Sequence, residues 1–221
     1  MTGRLFLSLP LIVAIAASVV ITLALRDRPA REVNAEARYT QRNGVQLQYF
    51  LNGPETGAVV VLLASFARSA SDFNELATSL NRNGYRTLRL QARGVDGSNL
   101  GTLRPSLFDY ADDLATVLSS ENLHEPVTIT GHAFGNRVAR AFASRYPDSV
   151  HSLILLAAGD SSPPPYIRNA ILKVVFQLWP DTVRRESLHR AFFSPLNQAP
   201  DYWLEGWYPK AALAQTFATA N

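Results

Sequence analysis

The sequence predicts an α/β protein on a mostly parallel sheet with helices on both faces, and three observations carry that prediction. Short, continuous apolar runs recur at residues 58–64, 127–130 and 150–158, as strands buried on both faces require. Between them lie longer stretches whose apolar residues fall at helical spacing. One run, 127–130, enters Gly131-His132-Ala133-Phe134-Gly135 and passes at once into a helical segment. The glycines at either end of that turn let strand and helix approach closely.

The first element is residues 5–25, uncharged and interrupted only by Ser8, Pro10, Ser18 and Thr22. That length is close to the ~20 residues that span a bilayer. Cleavage near Ala14-Ile15-Ala16 would make it a signal peptide but would leave 19–25 as an apolar stub, so an uncleaved anchor fits better. Residues 1–28 are therefore read as a signal peptide or membrane anchor, a transmembrane or signal helix with membrane contact through 5–25. Arginines flank both ends of the run (Arg4, then Arg26, Arg28 and Arg31), so the orientation signal is weak. The short charged start favours a domain outside the cytoplasm, anchored or secreted.

A polar linker follows at 29–36. Segments 38–41 and 45–51 flank Asn43-Gly44, a hairpin signal. A buried strand is expected over 58–64 and a helix over 71–82, where Phe73, Leu76, Ala77 and Leu80 share a face and Asn83-Gly84 ends it. Residues 85–90 read as a strand. A helix is expected over 106–122, with Phe108, Leu114, Val117 and Leu118 on its apolar side. Its Asp109, Asp112 and Asp113 read as charges complementing the helix N-terminus. After the helix 134–146 and the strand 150–158, the pattern breaks at Pro163-Pro164-Pro165. Helices over 167–178 and 182–193 and the aromatics Tyr202, Trp203, Trp207 and Tyr208 read as a helical cap, either a lid or a small core of its own. The division is thus 37–159 for the core and 160–221 for an incomplete cap.

Composition excludes several functions. Charged residues are 18% of the chain, net charge is +3, and no block of like charge suggests nucleic acid. With no cysteine, neither a disulfide framework nor a thiolate metal site can form. No H-E-x-x-H is present, and the loop holding Gly94, Gly97 and Gly101 lacks the lysine-serine pair of a phosphate loop. No metal and no cofactor are expected.

The turn at 131–135 has the strand–turn–helix context of a nucleophile elbow, G-x-S-x-G, in which a strained central residue lifts its side chain clear of the sheet. Here the centre is Ala133, whose methyl group cannot attack a carbonyl.

The hairpin, the strand near 59–63, the loop Arg93-Gly94-Val95-Asp96-Gly97-Ser98, the elbow and 153–160 together resemble the α/β-hydrolase superfamily, over about 37–221. That loop is similar to the family's R-G-x-G-x-S, which implies that Arg93, Gly94 and Ser98 shape the entrance to the pocket. The elbow set implied is Gly131, His132, Ala133 and Gly135. The resemblance implies oxyanion donors at the backbone N–H of Phe134 and, after the third strand, around Ser65 and Phe66, where the family's His-Gly is Ala64-Ser65. It also implies a later acid and histidine. Asp160 is the acid candidate, although a capping or loop role is commoner at such a place. His124, His132, His151 and His189 read as structural, and the chain reads as truncated before the missing base. Two functions stay open: a hydrolase of a small, partly apolar ester-like substrate, or a non-catalytic relative that binds a small apolar ligand or a partner.

Overall fold

The computed structural model describes residues 9–159 and 163–220. Its centre is a six-stranded sheet in the order β1-β2-β4-β3-β5-β6. The strands are β1 (Ala37–Arg42), β2 (Val45–Asn52), β3 (Val59–Leu63), β4 (Arg86–Leu90), β5 (Val127–His132) and β6 (Val150–Leu156). β1 and β2 run antiparallel to their neighbours, and β4, β3, β5 and β6 are mutually parallel. Asn43 at φ 49 and Gly44 at φ 77 close the β1–β2 hairpin in two residues with left-handed backbone, as the Asn-Gly signal requires.

Helix α1 (Leu9–Ala24) corrects the membrane reading. Its 16 described residues extend about 24 Å at 1.5 Å per residue, short of a ~30 Å hydrocarbon core. Among the described residues no helix is long and apolar enough to cross a membrane.

Helices α2 (Asn74–Arg82), α3 (Leu107–Ser120) and α4 (Phe134–Arg145) cover the sheet. The main core joins Leu47, Val61, Leu88, Leu114, Val117, Ile129 and Phe142 from sheet, α3 and α4. The start of α3 is a capping box: Ser106 accepts from Asp109 N–H, and Asp109 accepts from Ser106 N–H. The macrodipole reading fails for Asp113, which is almost fully buried and receives both Nε and Nη2 of Arg93, at 2.6 and 2.8 Å. Phe108 is not in the core either; it is exposed, with the Arg145 guanidinium 5.5 Å from its ring. β6, apolar in sequence, buries none of its residues, because no described strand pairs with its outer edge.

The cap holds α5 (Pro165–Val175), α6 (Asp181–Phe192) and α7 (Pro209–Ala220). Val174, Val175, Leu188, Leu204 and Trp207 form a second core. Of the four aromatics, Trp207 and Tyr208 are buried and Tyr202 is exposed, so this layer has its own core.

The linker and Arg28 just before it lie against body and cap. Arg28 pairs with Trp207 as an isolated antiparallel bridge, and Gly206 N–H donates to Arg28 O at 2.8 Å. Arg28 also pairs with Asp181 at 3.2 Å. Arg31 donates to both oxygens of Glu75, and the Asn34 amide donates to Thr78. The hydrogen bond from Arg31 holds the Glu75 carboxyl below its ordinary value, and that from Arg184 does the same to Asp181. Both folded values are lowered, so these pairs stabilise fully above the ordinary values of 4.5 and 3.8 and are lost as pH falls through the lowered ones. Amide exchange at Arg28 and Gly206, corrected for intrinsic rates, should therefore lose protection as pH falls below 3.8. Unchanged protection would contradict this role of the linker.

Candidate functional site

β3 and β5 are paired so that Leu63 lies beside Gly131. Their two C-terminal ends therefore deliver the turn 64–68 and the elbow to the same edge of the sheet. This is where crevices form in parallel α/β sheets.

The elbow owes its shape to its glycines. A Cβ on Gly131 would lie 2.5 Å from Gly135 C and O and 2.7 Å from Asn136 N. A Cβ on Gly135 would fall onto Leu63 O, with Leu63 C at 2.8 Å. Between them Ala133 adopts φ 48 and ψ −103, the strained backbone expected at such an apex. Ala133 N–H donates to Leu156 O at 3.0 Å, and Asn136 Nδ2 donates to the same carbonyl at 2.7 Å. β6 thus braces the turn. The Ala133 side chain is half-exposed. Ala133→Ser should fold, with stability changed by less than ~2 kcal/mol in urea unfolding, because the added hydroxyl can meet water. A larger loss would place this side chain inside the core.

Phe134 is the first residue of α4, and its N–H has no hydrogen-bond partner among the described residues. The Phe66 N–H is likewise without one among the described residues. The helix dipole adds positive potential at Phe134. These are the two donors that the sequence singled out. Ser65 is buried and its carbonyl accepts Arg68 N–H at 3.2 Å, closing a turn in which Ala67 adopts φ 55.

The turn 64–68 is tied down through Arg68. Its guanidinium makes two hydrogen bonds to Asp72, at 2.8 and 2.6 Å, and donates to Glu205 O and Gly206 O at 2.7 and 3.1 Å. It lies 4.6 Å from the ring centres of both Trp203 and Trp207. His132 is half-buried; desolvation lowers its pKa below 6.5, with Asp72 opposing and Arg68 assisting. It is neutral at pH 7. His124 and His151 are exposed, and His189 lies in α6. Asp160 lies outside the described residues.

The loop 93–98 is built into the body. Arg93 is buried against Asp113, and Ser98 Oγ donates to Gln91 O and accepts from Gln48 N–H, both at 2.9 Å. Gly94 takes φ 76, and a Cβ there would lie 2.9 Å from Leu100 Cδ1. Asp96 stands at φ 44 and accepts from Ser69 Oγ, Gln91 Nε2 and the Tyr208 hydroxyl. It takes the left-handed position of a loop glycine, where an aspartate is tolerated when its side chain is well bonded. Sequence reasoning missed Asp96, Arg68 and Gln215; for Asp96 the readable signal was its deviation from R-G-x-G. Among the described residues no group of His, Cys, Asp and Glu could hold a metal ion.

Comparison with known proteins places this geometry. The family model described as serine aminopeptidase, S33, matches residues 54–198. A non-heme chloroperoxidase of Streptomyces lividans is 28% identical over 119 residues, covering 54% of this chain and 43% of its own length. A cis-3-alkyl-4-alkyloxetan-2-one decarboxylase of Shewanella oneidensis is 33% identical over 82 residues, covering 31% of this chain and 26% of its own. This chain spans less than half the length of the curated relatives it matches. Among solved structures, an esterase from a Rhodococcus species superposes with TM-score 0.62 at 20% identity, over 80% of this chain and 72% of that one. A hydrolase from Pseudomonas aeruginosa gives TM-score 0.67 at 18% identity, over 84% and 72%. At such identities these two similarities establish the α/β-hydrolase fold alone.

Proposed function

This chain belongs to the serine aminopeptidase S33 family of α/β hydrolases, and from that premise we propose that its elbow binds the carbonyl oxygen of a small, partly apolar, ester-like substrate. One observation carries the reading: the backbone N–H groups of Phe66 and Phe134 lack partners among the described residues, while the side chain between strand and helix is a methyl group. Donors aimed at a developing oxyanion are worth about 3 kcal/mol each. They belong to the backbone, so they do not depend on the missing hydroxyl.

Cleavage at such a site runs through water. The water oxygen bonds to the carbonyl carbon, and the C=O electron pair moves onto the oxygen held by the two N–H groups. Collapse then expels the alkoxide, which takes up the proton the water released. The methyl of Ala133 leaves room for the water where a serine hydroxyl would stand.

A second reading, binding without turnover, is favoured by Ala133 itself. Turnover of a panel of p-nitrophenyl acyl esters separates the two. Hydrolysis that a serine-directed phosphonate does not inhibit supports the first. Saturable binding of the esters without hydrolysis supports the second. Turnover abolished by the phosphonate contradicts both, because no serine occupies the elbow.

A further inference from the structure

Helix α7 buries Ala211, Ala212, Ala214, Gln215 and Ala218. Gln215 is the long polar side chain on that face and is fully buried. Its Oε1 accepts the Ala67 N–H at 2.7 Å. The Ala67 carbonyl in turn accepts the Tyr208 N–H at 3.2 Å. Both polar backbone groups of Ala67 are thus held by the cap, in a left-handed conformation that disfavours a residue with a Cβ. Phe66, immediately before it, carries one of the two free donors.

The other end of the Gln215 amide is unused. Nε2 is buried and has no hydrogen-bond partner among the described residues. Bond lengths separate the two polar atoms of an amide by about 2.2 Å, so Nε2 lies within about 5 Å of the Ala67 nitrogen. Interior donors are almost always paired with protein, water or ligand. On the turn, Ser65 O and Ala67 O are already occupied, by Arg68 and Tyr208. The nearby cation, Arg68, is neutralised by Asp72. The unpartnered donors here, Phe66 N–H and Gln215 Nε2, are neutral, which suits a neutral carbonyl better than a carboxylate.

We propose that Gln215 is a specificity determinant of the elbow site: Nε2 donates a third hydrogen bond to the carbonyl of a small, apolar-bodied molecule held over Ala133, while Oε1 holds the turn that presents Phe66. This rests on the reading of the elbow given above.

The test uses the full chain and two probes of one skeleton, butyrophenone and butylbenzene, which differ by the carbonyl oxygen. The wild type should bind the ketone more tightly. Gln215→Glu keeps an acceptor for Ala67 N–H and, once ionised, has no donor. Measured from pH 8 upward, it should lose the ketone preference at least tenfold. A preference that survives in Gln215→Glu overturns the role of Gln215 and leaves the elbow reading standing. A wild type that binds neither probe overturns the elbow reading, and this inference with it. If the variant does not fold, wild-type chain labelled with 15N-glutamine decides. A side-chain amide resonance that moves with butyrophenone and not with butylbenzene supports the role, and ketone binding without such a shift overturns it.

Discussion

Gly135→Ala is expected to cost about 3 kcal/mol or more, a large fraction of the stability of a domain this size. The added Cβ would land on Leu63 O and against Leu63 C and Ala64 O, all backbone atoms that no rotamer change can move. Relief requires α4 to lift from β3, which separates Phe134 from the turn carrying Phe66. Urea unfolding followed by circular dichroism measures the loss. A variant within ~1 kcal/mol of wild type would mean that the elbow is not closed as described. Gly44→Ala makes the contrast, since a Cβ there meets nothing within 4 Å and only its φ of 77 opposes the change. Its cost should be about 1 kcal/mol.

Arg68→Leu is expected to cost about 3–5 kcal/mol, the loss typical of breaking a buried ion pair on one side. Asp72 would keep its charge in a largely buried position, and the carbonyls of Glu205 and Gly206 would lose their donor. The Trp203 and Trp207 rings would also lose the cation between them. The cap should loosen before the sheet does. Tryptophan fluorescence, reporting the cap, should then unfold at lower urea than far-ultraviolet dichroism. Coincident transitions with less than ~1 kcal/mol lost would show that Arg68 does not join the two layers.

The readable parts of the fold were those set by local chemistry. Asn43-Gly44 specified a hairpin because left-handed backbone is needed at both positions, and both have it. The run at 59–63 read as buried, and Val60 to Leu63 are buried. The elbow was readable because its glycines answer steric demands within a few residues of chain. The parts that misled depend on distant neighbours. β6 ends in the apolar run Leu153 to Leu156, yet its burial is decided by what pairs with its outer edge, which its composition cannot report. Asp113 resembled a helix-end charge until Arg93, twenty positions earlier, proved to be its partner. Arg89 lay unnoticed in a strand pattern. It is fully buried, donates to Asn34, Asn74 and Asn52, and desolvation lowers its pKa to about 10. The apolar N-terminal run suggested a membrane span by length, but among the described residues no helix is long and apolar enough to cross a membrane.

Within the site, the same division holds. Phe134 and Phe66 could be named as candidate donors because the family resemblance implies backbone donors at fixed offsets from strand ends. Gln215 could not, because its contact with Ala67 spans 148 positions. A single amide among the alanines of α7 was the only trace of it in the sequence.

The most direct measurement is the backbone amide spectrum of 15N-phenylalanine-labelled chain titrated with butyrophenone, and with butylbenzene as the control. The expected result is that the Phe66 and Phe134 amides move downfield together with the ketone, saturate at one affinity, and stay in place with the hydrocarbon. Ketone binding that leaves both amides unmoved would contradict the assignment of these donors as the carbonyl site.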